Sequence, residues 1–209
     1  MFALVENQQI TKFYSGNKGV TLGDIQYPKS IFTLWSEAQR NAIGIFKVTV
    51  DTTNKKDEQW YINTNISYGV ESNKAVGSYG TATPKAHVDI LYTEQDKTDG
   101  IIPANKDVGD VKTRGLKYNL IKVIKKQAAG ILQDTDWYIT RKADAGTAVP
   151  SSITTYRAAV RTKSAEMETA VTNAADTPAL ETLYTYVNTG TEENPVYERP
   201  LDEFPVLEN

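Results

Sequence analysis

The chain has 209 residues, 23 of them basic and 26 acidic, for a formal net charge of −3. That balance argues against nucleic-acid binding driven by bulk charge, and the absence of cysteine excludes disulfides, thiolate nucleophiles and zinc–thiolate sites. With 40% hydrophobic and 23% charged residues the composition is globular, and no apolar run approaches the length of a membrane span.

Residues 2–6, FALVE, and 10–14, ITKFY, read as two strands of a hairpin turning at NQQ. No basic region or apolar stretch opens the chain, so it reads as lacking a secretory leader. Pro28 breaks the chain, and Thr33 or Ser36 then caps a short helix with Glu37 in its first turn. Gly44 closes that helix as a C′ glycine, and residues 45–50 return to strand. Strand patterns continue through EQWYINTNISYGV, with Trp60, Ile62 and Ile66 on one parity, to HVDILY. Residues 1–95 are therefore expected to form a small antiparallel β domain with one short helix. Residues 96–111, polar and rich in Gly, Pro and Asp, read as a linker.

The period then changes. Leu116, Leu120, Ile124, Ala128, Ile131 and Leu132 recur at helical spacing to about Ile139, and KADAGTAVP is a loop. Ser151 or Ser152 caps a second helix carrying Ile153, Tyr156, Val160, Met167 and Val171. Residues 112–175 thus predict a long antiparallel helical hairpin. Thr177 as cap and Pro178 at the first helical position predict one more short helix. Pro195, Pro200 and Pro205, spaced by five, then predict an acidic extended arm within 176–209. The fold class expected is α+β.

Chemistry is sparse. The single histidine, His87, cannot make a histidine metal cluster, and no Ser/His/Asp or Cys/His arrangement exists. Asp134 and Asp136 are two positions apart on a helix and point in different directions, so they read as solvated or interhelical charges. The chain is read as non-enzymatic, with no metal and no cofactor. Its charge is instead polarised. Lys117, Lys122, Lys125 and Lys126 crowd the first long helix, whereas residues 176–209 hold Asp176, Glu181, Glu192, Glu193, Glu198, Asp202, Glu203 and Glu208 against the single base Arg199. With Tyr197, Leu201 and Phe204 as apolar anchors of the arm, these lysines form a candidate partner interface.

Residues 131–161 read ILQDTDWYITRKADAGTAVPSSITTYRAAVR. Leu132, Thr135, Asp136, Trp137, Pro150, Ile153, Tyr156, Arg157, Val160 and Arg161 fall on the pattern Leu-x-x-(S/T)-Asp-Trp…Pro-x-x-(I/W)-x-x-Tyr-Arg-x-x-(L/V)-Arg. The stretch resembles the C-terminal region of many small tailed-bacteriophage proteins of tail-fibre assembly or of tail and virion structure. FALVENQQI and FTLWSEAQRNAIGIFKV are similar to the opening of those proteins. The resemblance covers about 1–50 and 112–165; it departs at Gln8, where glycine is usual, and in the arm after 176. It implies a structural component of a phage tail, at the baseplate or a tail-fibre attachment. Such a component resides in the virion, and in host cytoplasm during assembly. It meets other tail proteins in multiple copies or as a homo-oligomer, with no nucleic-acid or membrane partner. The alternative is a tail-fibre assembly chaperone that is not retained in the virion.

The motif also suggests a clip made by Asp136, Trp137, Arg141, Tyr156, Arg157 and Arg161. Counting back from a loop centred near 147 sets Trp137 opposite Arg157 and Asp136 opposite Ala158. Trp137 and Arg141 are i,i+4 neighbours. Trp137 is expected to be buried at the closed end of the hairpin against Arg157, and Trp35 to pack in a core.

Overall fold

The computed structural model describes residues 1–207, leaving Glu208 and Asn209 of the acidic arm outside the described residues. The fold is mixed α+β, and the chain divides into two compact units, Met1–Thr83 and the chain from Pro84 onward.

In the first unit β1 (Phe2–Glu6) and β2 (Gln9–Tyr14) form the expected hairpin. Its turn residues Asn7 and Gln8 have φ of 52° and 64°, the pair of left-handed conformations that matches strand twist. β3 (Val20–Leu22) and β4 (Ile25–Tyr27) make a second hairpin. A 3-10 turn at Lys29–Phe32 then buries Ile31 and Phe32. α1 (Glu37–Ala42) begins at Ser36, one of the two expected caps. Ser36 Oγ accepts the Gln39 N–H at 3.2 Å and Gln39 Oε1 accepts the Ser36 N–H at 2.8 Å, a reciprocal capping box. Gly44 follows with φ of 78°.

β5 (Ile45–Lys47) joins the free edge of β1, antiparallel. The strand expected over 45–50 is interrupted at Val48, whose N–H bonds the Met1 carbonyl at 3.1 Å. The chain changes sheets there. β6 (Thr49–Asp51) enters a second sheet; the short strand β7 (Tyr61–Ile62) that follows lies outside it, and β8 (Ile66–Glu71) and β9 (Lys74–Tyr79) complete it. β8 and β9 are an antiparallel hairpin, but β6 runs parallel to β9, which corrects the all-antiparallel expectation. The parity over 60–66 also fails: Trp60 is buried and Ile62 is exposed. The core holds Val20, Ile31, Phe32 and Ile45, ringed by Phe2, Leu4, Tyr14, Leu22, Tyr27, Trp35 and Ile43. Trp35 meets the Tyr27 ring edge-on at 5.9 Å. The short strand β10 (Thr83–Pro84) falls at the division itself.

The second unit corrects the expected boundary at residue 95 and the linker over 96–111. β11 (Ile90–Leu91) and β12 (Val111–Thr113) pair antiparallel, with α2 (Glu94–Thr98) between them. Thr93 and Asp96 form a capping box for α2, and Lys112 Nζ reaches Asp96 Oδ1 at 2.6 Å. One carboxylate therefore caps the helix and ties the loop closed, which is why this polar stretch is ordered.

α3 (Leu116–Gln133), α4 (Asp136–Ala145) and α5 (Ser151–Asn173) follow. The hairpin pair is α3 with α5. α5 buries Ile153, Arg157, Val160, Ser164, Met167 and Val171, alternating steps of four and three as in a coiled-coil seam. α3 offers Ile124 and Ala128. Lys117 Nζ bonds the Thr172 carbonyl at 2.8 Å, Lys125 pairs with Glu168 at 3.3 Å, and Arg157 bonds the Leu132 carbonyl at 2.8 Å, so the two helices run antiparallel. The first helix stops at Gln133 rather than Ile139, because Thr135 leaves helical geometry at φ −111°, ψ 3°.

α6 (Thr177–Tyr184) is capped by Asp176, not Thr177: Asp176 Oδ1 accepts the Ala179 N–H at 2.8 Å, while the Thr177 hydroxyl donates to the Lys85 carbonyl at 2.6 Å. Nor is 176–209 one extended arm. After α6 come β13 (Val187–Asn188) and β14 (Tyr197–Glu198), an antiparallel hairpin, and then a strap. The prolines permit this because none falls in β13 or β14, so no ladder N–H is lost. Among the described residues no helix is long and apolar enough to cross a membrane.

Candidate functional site

Four of the motif residues converge where α3 ends and α4 begins. Arg157, on α5, is 7% exposed. Its Nη1 donates to the Leu132 carbonyl at 2.8 Å and to Thr135 Oγ1 at 2.6 Å, and its Nη2 meets Asp136 Oδ1 at 2.8 Å. Buried Thr135 in turn donates its hydroxyl back to the Leu132 carbonyl at 2.9 Å. The last carbonyls of a helix lack intrahelical donors and attract cations, and the first residues of a helix attract anions. One guanidinium satisfies the end of α3 while its counter-ion sits in the first turn of α4. The expected register is thus shifted by one: Asp136, not Trp137, is level with Arg157.

Trp137 is 56% exposed, which overturns its expected burial. The helix break rotates the first turn of α4 so that Asp136 faces the hairpin and the indole faces solvent. Arg141 lies over the Trp137 ring at 4.5 Å and over Tyr138 at 5.6 Å, the i,i+4 stack the spacing predicted. Tyr156 is half-buried, and Arg161 makes a long 3.4 Å bond to the Arg157 carbonyl. Four of the six clip residues therefore form two groups: Asp136 and Arg157 hold the junction, while Trp137 and Arg141 make a cation–aromatic stack.

The four lysines also divide. Lys117 and Lys125 are engaged with α5; Lys122 and Lys126 are exposed without an ion pair among the described residues. Of the arm anchors, Leu201 is buried, Phe204 is half-buried in a groove with Gln127, Gly130 and Ile131, and Tyr197 is 65% exposed and anchors nothing. The strap is fixed by Lys163 on α5, which reaches Asp202 at 2.5 Å, rather than by the α3 lysines. The hydrogen bond from Lys163 holds the Asp202 carboxyl below its ordinary value and raises the Lys163 ammonium above its own.

Sequence reasoning missed the Asp96–Lys112 and Asp89–Arg114 pairs, both at 2.6 Å. Thr93-x-x-Asp96 carried a capping signal that would have found the first. Among the described residues no group of three or more His, Cys, Asp or Glu could hold a metal. Comparison with protein-family models, curated proteins and solved structures finds no match.

Proposed function

We propose that the chain is a non-enzymatic structural component of a bacteriophage tail, at the baseplate or a tail-fibre attachment, acting through protein–protein contacts. The reading rests on the resemblance of residues 131–161 to small phage tail proteins. The observation that carries it is the division of labour inside that motif. Arg157 is consumed by holding the α3–α4 junction, while Trp137 is exposed with the half-buried Arg141 stacked on its ring. Trp and Arg are the residue types that dominate contact energy at protein interfaces, and a rigid junction beneath them suits a docking element.

The test is the protein inventory of purified particles of the phage that encodes the chain. Mass spectrometry should find it in mature virions at stoichiometric level. Absence from virions, together with insoluble fibre protein when the chain is missing, would favour the assembly-chaperone alternative. Absence with normal fibres would end both readings.

A further inference from the structure

We infer that copies of this chain associate head to tail, the acidic β13–β14 hairpin of one copy seated on the outward face of α3 of the next. The inference goes beyond the tail reading and does not depend on it.

The hairpin is a projecting element, tied at its root by the Tyr186 hydroxyl, which donates to Glu203. Every residue from 186 to 198 is exposed, and the segment holds Glu192, Glu193 and Glu198 with no cation. Its apolar side chains Val187, Val196 and Tyr197 are 50%, 49% and 65% exposed. Its shape is nonetheless defined. Thr189 N–H bonds the Val196 carbonyl at 2.7 Å, and Asn188 Oδ1 accepts the N–H groups of Gly190 and Val196, both at 3.0 Å. Arg199 fixes the root, over the Tyr186 ring at 5.2 Å and against Glu203 at 2.9 Å. A two-stranded hairpin by itself is marginal in water and gains from a surface to lie on.

α3 supplies a surface of matching chemistry. It contains four lysines and no acid. With Lys117 and Lys125 turned to α5, Lys122 and Lys126 remain as like charges at i,i+4 on the exposed side, a repulsion that acids relieve. They lie away from buried Ile124 and Ala128, beside Tyr118 and Val123, which are 43% and 50% exposed. Carboxylates with a small apolar patch thus face ammonium groups with a small apolar patch. The hairpin does not sit on its own α3, since all its residues are exposed within the single chain. Because the two surfaces differ, the contact is heterologous and closes as a ring or extends as a filament.

The test uses the full-length chain in analytical ultracentrifugation. At ~20 mM salt the average mass should rise with concentration, and it should fall to that of the single chain near ~0.5 M, where charge interactions are screened within a few ångströms. Lys122→Glu/Lys126→Glu and, separately, Glu192→Lys/Glu193→Lys should each stay monomeric. An equimolar mixture of the two variants should associate again, because each hairpin then meets an opposite charge on the other variant's α3. The substituted side chains are exposed, so the variants should melt like the parent. A parent chain that stays monomeric at low salt up to ~1 mM, association that survives either reversal, or a mixture that stays monomeric would each overturn the inference.

Discussion

Asp136 and Arg157 form an ion pair at 2.8 Å in which only one partner is buried: the guanidinium side chain is 8% exposed and the carboxylate side chain 58%. The two ends of this bridge therefore contribute unequally. Arg157→Ala removes one of the donors to the Leu132 carbonyl and the donor to the Thr135 hydroxyl, and leaves a void, a loss of about 2–4 kcal/mol. Asp136→Ala breaks only a screened contact and should cost less than about 1 kcal/mol. Denaturant unfolding followed by helical signal checks the ranking; equal losses would contradict it.

The three tryptophans are separable by exposure. Trp137→Ala should change stability by less than about 0.5 kcal/mol, as surface substitutions do, whereas Trp60→Ala, at a residue only 3% exposed, should cost about 3–5 kcal/mol. Quenching of Trp137 fluorescence by iodide, absent for Trp60, is the accompanying measurement. A strongly destabilised Trp137→Ala would show that the indole is covered.

What the sequence reveals follows the range of the forces involved. The β1–β2 hairpin, the Ser36 cap and the Gly44 stop are local chemistry, and each was readable from a few neighbouring residues. The level of Asp136 on α4 against Arg157 was readable to within one residue, but the α3–α5 contacts of Lys117 with Thr172 and of Leu132 with Arg157 fall five residues from the same count, because the break at Thr135 lies between. Trp137 was not readable: whether it faces in or out depends on the break at Thr135, which a continuous helical count steps over. The parallel β6–β9 ladder and the Lys163–Asp202 tie join residues far apart in the chain, and no local pattern announces them. The polar 96–111 stretch failed for a related reason. Composition says loop, but Asp96 makes it ordered through Lys112, whose side chain is distant in sequence.

That same Asp96 sets an acid limit. Its carboxyl is held below the ordinary value, first by the Lys112 hydrogen bond and then by the Thr93 N–H. A depressed folded value means the contribution is complete above the unfolded value of about 4 and drains away as pH falls through the folded one. The second unit should therefore lose stability between roughly pH 5 and pH 2, and Asp96→Asn, which cannot titrate, should flatten the profile. Asp89 and Asp202 are depressed too, so some slope will remain. Parallel pH profiles for parent and variant, measured as denaturant midpoints, would rule Asp96 out.

Two glycines, one inside α3 and one at its N-cap, should respond to alanine with opposite signs. Gly130 lies in the middle of the helix, and a Cβ there meets nothing within 4 Å; Gly130→Ala should stabilise by about 0.5–1 kcal/mol through helix propensity alone. Gly115 is buried at the cap, where a Cβ would fall 2.3 Å from the Val88 carbonyl carbon and 2.8 Å from the Asp89 nitrogen. That backbone cannot retreat cheaply, because it terminates the helix. Leu116 N–H bonds the Ala86 carbonyl and Lys117 N–H the His87 carbonyl, both at 3.0 Å, and the Gly115 N–H itself donates to Asp89 Oδ1 at 2.7 Å. A methyl group at 115 pushes residues 86–89 off the helix end and orphans donors that have no intrahelical acceptor. Gly115→Ala should cost about 2–4 kcal/mol and increase hydrogen exchange at Leu116 and Lys117. Stabilisation at both positions would mean that propensity, not the close approach of the 86–89 backbone, governs the start of α3.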